Sequence, residues 1–263
     1  GAAAFVGVGD DRQLPATVMS YEAKIRGFNE SLFSRLLRQR VVNEGDGFVQ
    51  LDIQRRMHST ISRFPSEMFY DGAIQNGCKD ADRPIIHGFP WPGDFRVCFV
   101  QCGFHGEQSS GTSVQNQVEA EIVSKVLSNI LRPSRATGQD SGLSAVKARD
   151  IAVITGYSAQ RELLKQYIRR EIEDDNMVRK IRIDTVDGFQ GMERDLVLVS
   201  TARSNNRGDV GFLRDRRRAN VLLTRARRGL IIFGDGRTLT EEREVWRPWL
   251  QFVEHNGGII EGQ

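Results

Sequence analysis

Seven short apolar runs, rich in valine and isoleucine, recur along this chain with helix-patterned segments between them. They are Ala3–Val8, Val49–Ile53, Arg96–Val100, Ile151–Thr155, Ile181–Asp184, Leu196–Thr201 and Leu230–Phe233. A strand buried on both faces reads as a continuous apolar run, which is how strands of a parallel sheet look. The segments between them carry helical stripes: Val118, Ile122, Val126 and Ile130 on one, Leu163, Leu164, Tyr167 and Ile168 on a second, Leu32, Phe33, Leu36 and Leu37 on a third. The alternation predicts an α/β layer fold with a parallel sheet flanked by helices. Two polar stretches rich in Gly and Ser, Gly103–Ser113 and Arg132–Ala148, read as loops. Strand and helix patterns resume after each, so the 263 residues are expected to form one domain.

A hydrophobic share of 39% with 27% charged residues is ordinary for a globular protein of this size. The net charge is only +3, but arginines crowd the stretch from Arg214 to Arg228. Such a run suggests an anionic partner, phosphate or nucleic acid, with a solvated arginine-rich helix as the alternative. Cys78, Cys98 and Cys102 make neither a disulfide framework nor a zinc-ligand spacing, which points to reduced thiols in an intracellular protein, cytoplasmic or nuclear. No stretch of about 18 apolar residues is present, so no membrane span is expected. There is no signal-peptide pattern, and the first run looks like the interior of a domain.

Several polar groups follow the apolar runs. Gln13 lies in Gly9-Asp-Asp-Arg-Gln-Leu-Pro15, behind the first predicted strand. Loops at the carboxyl ends of parallel strands are where α/β proteins place ligand chemistry, and an amide there can bond a terminal phosphate or an attacking water. In Arg217-Arg-Ala-Asn-Val-Leu-Leu-Thr-Arg-Ala-Arg227, helical spacing puts Arg218, Val221 and Arg225 on one face beside an apolar stripe of Ala219, Leu222, Leu223 and Ala226. A helix docked on that stripe holds Arg225 rigidly, as suits a guanidinium meant for a phosphate. Asp184-Thr-Val-Asp-Gly-Phe-Gln-Gly-Met-Glu193 is turn-rich; Gly188 and Gly191 let backbone approach a ligand, and the Thr185 hydroxyl can bond a nucleic-acid phosphate. Thr17, Ser20, Arg203 and Asn205 are further candidates for the sugar–phosphate chain. In Gln54-Arg-Arg-Met-His58, the histidine reads as a packed or capping residue and Ser59 as the N-cap of the next helix. Phe64, Met68 and Phe69 have helical spacing and read as core.

These blocks, in this order, resemble those of the second RecA-like motor domain of superfamily 1 helicases, most closely the nonsense-mediated-decay and senataxin-like branch. The likeness runs from Phe5 to about Gly258. It implies a RecA-like fold, residues 1–263 being the second helicase domain of a longer protein. No Gly-x-x-x-x-Gly-Lys-Ser/Thr run occurs, so the triphosphate loop, and most of the hold on Mg²⁺, would come from an upstream RecA-like domain of the same protein. By the resemblance, Gln13 contacts the γ-phosphate of ATP, and Arg56 and Arg225 are phosphate fingers. Glu193 takes the ribose, with Gln190 and Gly191 in the cleft joining the ATP and nucleic-acid sites. Thr185 and Asp187 belong with Thr17, Ser20, Arg203 and Asn205 on the single-stranded RNA or DNA. Arg55 stands where the family commonly has a tyrosine that stacks on adenine. The implied activity is that of an ATP-dependent, 5′ to 3′ helicase acting as a monomer. The alternative is a non-catalytic nucleic-acid-binding or scaffold module that kept the fold.

Overall fold

The computed structural model describes residues 5–39, 47–104, 106–132 and 145–262. Two short helices come first, α1 (Tyr21–Ile25) and α2 (Leu32–Arg38), each capped by a serine: Ser20 accepts from the Ala23 amide and Ser31 from that of Ser34. A two-residue strand β1 (Ile53–Gln54), helix α3 (Ser59–Tyr70) and a second short strand β2 (Gln75–Asn76) follow, with β1 and β2 paired in parallel. The main body runs β3 (Val97–Gln101), β4 (Glu107–Ser110), β5 (Ser113–Asn116), α4 (Gln117–Leu131), β6 (Ile151–Thr155), α5 (Ser158–Glu171), α6 (Asp175–Lys180), β7 (Arg182–Thr185) and β8 (Arg194–Ser200). It closes with α7 (Arg216–Leu223), β9 (Ala226–Gly234), α8 (Gly236–Thr240), α9 (Trp246–His255) and β10 (Ile259–Glu261).

Six strands make one sheet in the order β10-β3-β9-β8-β6-β7, parallel at every pairing. Ile151, Val153, Leu196, Leu198 and Ile231 are fully buried on one face, packed with Ala120, Val123, Leu127, Leu164 and Ile168 of α4 and α5. Ile154, Val197, Val199 and Ile232 are equally buried on the other, against α3, α7 and the two tryptophans of α9, Trp246 and Trp249. Both faces are covered, which is why those strands read as unbroken apolar runs. The α/β architecture expected from the alternation is the one found.

The differences have local causes. Phe5–Val8 is exposed and forms no strand, since no neighbour pairs with it among the described residues; residues 1–4 lie outside them. The run at Val49–Ile53 shrinks to the two-residue β1, with Val49 and Leu51 about 80% exposed. Gly103–Ser113 is largely not a loop: its polar residues form the β4–β5 hairpin, turned by two residues with Gly111 at φ 59°. Most of Arg132–Ala148 falls outside the described residues. On α4, Ile122 and Ile130 are buried as expected and Val126 packs partly against the same core, but Val118 is 42% exposed and the stripe widens to take in Val123 and Leu127, which are fully buried. His58, not Ser59, is the N-cap of α3, its side chain accepting from the Thr60 amide.

Candidate nucleotide and nucleic-acid site

Helix α7 begins at Asp215, whose carboxylate accepts from the Arg217 and Arg218 amides. It stops at Leu223, two residues short of Arg225, so Arg218, Val221 and Arg225 do not form one helical face. The Thr224 hydroxyl turns back to the Asn220 carbonyl at 2.6 Å, and Arg225 Nε to the Val221 carbonyl at 3.0 Å. These bonds satisfy carbonyls that a helix end leaves open. The chain then enters β9 at Ala226. Arg225 is therefore more rigidly held than a helix-surface residue, with only 2% of its surface exposed. Its Nη2 donates to Thr224 Oγ1 at 2.8 Å and to Gln13 Oε1 at 3.1 Å. Burial, reinforced by the charge of Arg56, lowers its pKa to about 10, which still leaves it cationic at neutral pH.

Arg56 reaches the same place from the loop after β1. The Gln54 side-chain oxygen accepts from the Arg56 and Met57 amides, fixing that loop. Arg56 Nη1 donates to the Thr224 carbonyl at 2.7 Å and Nε to Glu193 Oε2 at 2.5 Å. Burial works to raise the Glu193 carboxyl, but the hydrogen bond and charge of Arg56, with Arg227 and Arg225 behind, bring it below its usual value. Arg55 is exposed, its guanidinium 3.4 Å from the Gly77 carbonyl. Gln13, Arg55, Arg56 and Arg225 all line one cavity of about 220 Å³.

This cluster sits at the amino-terminal edge of the sheet, where Glu193 and Arg225 lead into β8 and β9. The register slips between Arg194 and Leu196, whose partners on β9 are Ala226 and Gly229. The bulge presents both Arg227 and Arg228 to Asp195, at 3.6 and 3.2 Å. Thr185 and Ser200, each paired with Thr155, lie at the opposite, carboxyl edge. Seven residues of β8 separate the two edges, roughly 20 Å at about 3.3 Å per residue.

Residues 186–193 bridge the two edges. The Thr185 hydroxyl accepts from the Gly188 amide at 3.4 Å, and Asp187 pairs with Arg218 at 3.3 Å. Gly191 is at φ 78°, a conformation costly for other residues, whereas a Cβ at Gly188 would lie 2.7 Å from Asp184 Oδ1. Gln190 Nε2 donates to the Leu14 carbonyl at 2.9 Å, tying this bridge to the Gln13 loop. Thr17 and Ser20 are exposed beyond it. Arg203 and Asn205, past the end of β8, are not turned outward. Arg203 is 8% exposed and held by Glu107 and Asp209, and the Asn205 amide donates to Glu107 Oε2 at 2.8 Å. Sequence reasoning missed Tyr70, Asn220 and Glu119; the polar residue in the midst of an apolar helix stripe was the available signal for the last two.

The family model described as "AAA domain" matches residues 28–237. The chain belongs to this family. Within it, the AAA domain described here is a superfamily 1 helicase domain of the nonsense-mediated-decay branch. It is 37% identical over its whole length to the "Regulator of nonsense transcripts 1 homolog" of Drosophila melanogaster, covering 21% of that protein. It is 34% identical to "ATP-dependent helicase NAM7" of Saccharomyces cerevisiae and 32% to "ATP-dependent helicase upf1" of Schizosaccharomyces pombe, spanning all of this chain and 26% and 27% of theirs. The AAA domain thus corresponds to about a quarter of the length of the relatives it matches. None of its described helices is long and apolar enough to cross a membrane.

Proposed function

We propose that this chain is the second RecA-like motor domain of an ATP-dependent helicase or translocase. It lends arginine fingers and strand contacts to an ATP site completed by an upstream domain of the same protein. The observation that carries this reading is the convergence of Gln13, Arg56 and Arg225 on one cavity, from three separate parts of the chain. One buried and one part-buried guanidinium, together with an amide, suit a polyanion, because the cost of desolvating them is offset only by opposite charge.

ATP would supply the phosphoanhydride bond and its terminal phosphate. Toward that phosphate, Arg225 and Arg56 neutralise developing charge and Gln13 hydrogen-bonds an oxygen or the attacking water. Glu193 accepts from a ribose hydroxyl at Oε1, the carboxylate oxygen that Arg56 leaves open. Mg²⁺ would be held mainly by the phosphates of ATP and by carboxylates of the upstream domain. Closure of the cleft at one sheet edge would be transmitted through residues 186–193 to the other, where Thr185 and Asp187, with Thr17 and Ser20, grip the single strand. Arg203 and Asn205 serve there by shaping the loop. Phe5, Val6, Val8, Met19 and Phe28, near the start of the chain, are left exposed, as apolar side chains would be where a neighbouring domain packs.

The test compares the full-length protein with the isolated chain. The full-length protein is expected to hydrolyse ATP with Mg²⁺ and to be stimulated by single-stranded RNA or DNA. The isolated chain is expected to bind ATP weakly and to show no appreciable turnover. Robust Mg²⁺-dependent hydrolysis by the purified isolated chain would overturn the shared-site reading.

A further inference from the structure

Behind Gln13 lies a run of side-chain hydrogen bonds that ends in the protein interior. Asn220 is fully buried on α7, and its Nδ2 donates to the Arg12 carbonyl and to the Tyr70 hydroxyl, both at 2.9 Å. The Tyr70 hydroxyl is 2.7 Å from Asp10 Oδ2. The same oxygen accepts from Gln13 Nε2 at 2.6 Å, and Gln13 Oε1 accepts from Arg225 at 3.1 Å. Asp10 Oδ1 accepts from the Arg12 amide at 3.0 Å.

The donor and acceptor sense of this run is fixed at both ends, by the Arg12 carbonyl at one and, at the other, by the Arg225 guanidinium, which can only donate. The Arg12 carbonyl can only accept, so the Asn220 amide nitrogen must face it; turning the amide over would set two oxygens together. That orientation holds even though Asn220 Oδ1 is left buried without a hydrogen-bond partner. The Tyr70 hydroxyl therefore accepts from Asn220, and its single proton goes to Asp10. Asp10, an acceptor only, then takes the Gln13 NH₂ group, and the Gln13 oxygen is turned to Arg225. Burial pushes the Tyr70 hydroxyl up to about 12, so it keeps that proton at any working pH.

We propose that Tyr70 is a positioning residue for the nucleotide site: its hydroxyl, oriented by Asn220, holds the Asp10 carboxylate in place against the Gln13 amide, whose oxygen is thereby kept turned to Arg225. The inference rests on the reading of the cavity as a phosphate site. It also gives a use to the last residue of α3, a helix whose phenylalanines, Phe64 and Phe69, are core, at 5% and 1% exposed.

The test is a double-mutant cycle in the full-length protein. Tyr70→Phe keeps the ring and removes only the hydroxyl. It is expected to lower kcat for ATP about tenfold, with KM and Tm close to those of the parent. Gln13→Ala is expected to lower kcat at least as far, and the double variant to be no slower than Gln13→Ala alone, because both changes remove one unit. A Tyr70→Phe protein that turns over at the parent rate, with or without a lowered Tm, reduces Tyr70 to packing and overturns the proposal. So does a double variant in which the two losses multiply. If Gln13→Ala itself hydrolyses ATP at the parent rate, the phosphate-site reading fails, and this proposal fails with it by a different result.

Discussion

Replacing Arg225 with alanine in the full-length protein is expected to lower kcat for ATP hydrolysis by about 10³-fold or more, with single-strand binding largely retained. The magnitude is that of an arginine finger, which acts on charge that develops only in the transition state. Three observations make Arg225 the stronger candidate of the two fingers. It is almost fully buried, it is anchored at Nε by the Val221 carbonyl, and its Nη2 reaches Gln13. A cation held so firmly loses little entropy or hydration when the phosphate arrives, whereas Arg56, with 28% of its side chain exposed, is engaged by Glu193. Arg225→Lys keeps a charge but not the fork that spans Val221 and Gln13, so it is expected to recover only a small part of the rate. Steady-state ATPase assays with Tm as a control separate this from unfolding. The alanine variant gives up the hydrogen bonds to Val221, Thr224 and Gln13 and leaves a buried void, offset in part by relief of the repulsion from Arg56, so a stability loss of about 1–3 kcal/mol is expected beside the rate effect. Unchanged turnover would remove Arg225 from the chemistry.

The residues of this cavity were legible as a set because each belongs to a compact block with a known kind of neighbour. What the sequence concealed was how they are held. Helical periodicity carried the arginine helix on through Arg225, because nothing in propensity stops a Leu-Leu-Thr-Arg-Ala-Arg run. Two short bonds, from Thr224 and Arg225 to α7 carbonyls, end it instead, and β9 captures the next residue by pairing with Arg194. The β4–β5 hairpin was hidden for the opposite reason. Its side chains are polar because much of it faces solvent, so no apolar period announced it. Arg203 and Asn205 looked like strand contacts from their place after β8, and only their distance to Glu107, nearly a hundred residues away in sequence, shows that they serve the loop. The core strands posed no such difficulty, since a strand buried on both faces has no alternative to an apolar run.

Glu119 leads to the second large effect, at the carboxyl edge of the sheet. It lies in the first turn of α4, where Asn116 caps the Glu119 amide at 3.1 Å, and its side chain is fully buried over the end of β8. One carboxylate oxygen accepts from Ser200 Oγ at 2.6 Å and the Ala202 amide at 2.8 Å, the other from Thr201 Oγ1 at 3.1 Å. Ala202 is at φ 61°, a left-handed conformation that this amide contact helps to hold in the loop leading to Arg203 and Asn205. Glu119→Ala would strand these buried donors over a void, and is expected to cost about 3–5 kcal/mol in chemical denaturation. Glu119→Gln retains an acceptor for Ala202, while the Thr201 hydroxyl can turn to accept from the amide, so its cost at neutral pH is expected to be small. The two variants also differ in pH dependence. Burial, only partly countered by the three donors, raises the Glu119 carboxyl from 4.5 to about 7. Folding therefore takes up a proton between those values. The contribution of this group to stability falls as pH rises through that window, by about 3 kcal/mol in all, and is level above it. Glu119→Gln should lack that slope, so its stability relative to the parent should improve steadily from pH 4.5 to 7. A parent-minus-variant difference that stays flat over the window would show that the carboxyl is ionised as readily in the fold as out of it, and one that slopes the other way that it is ionised more readily there.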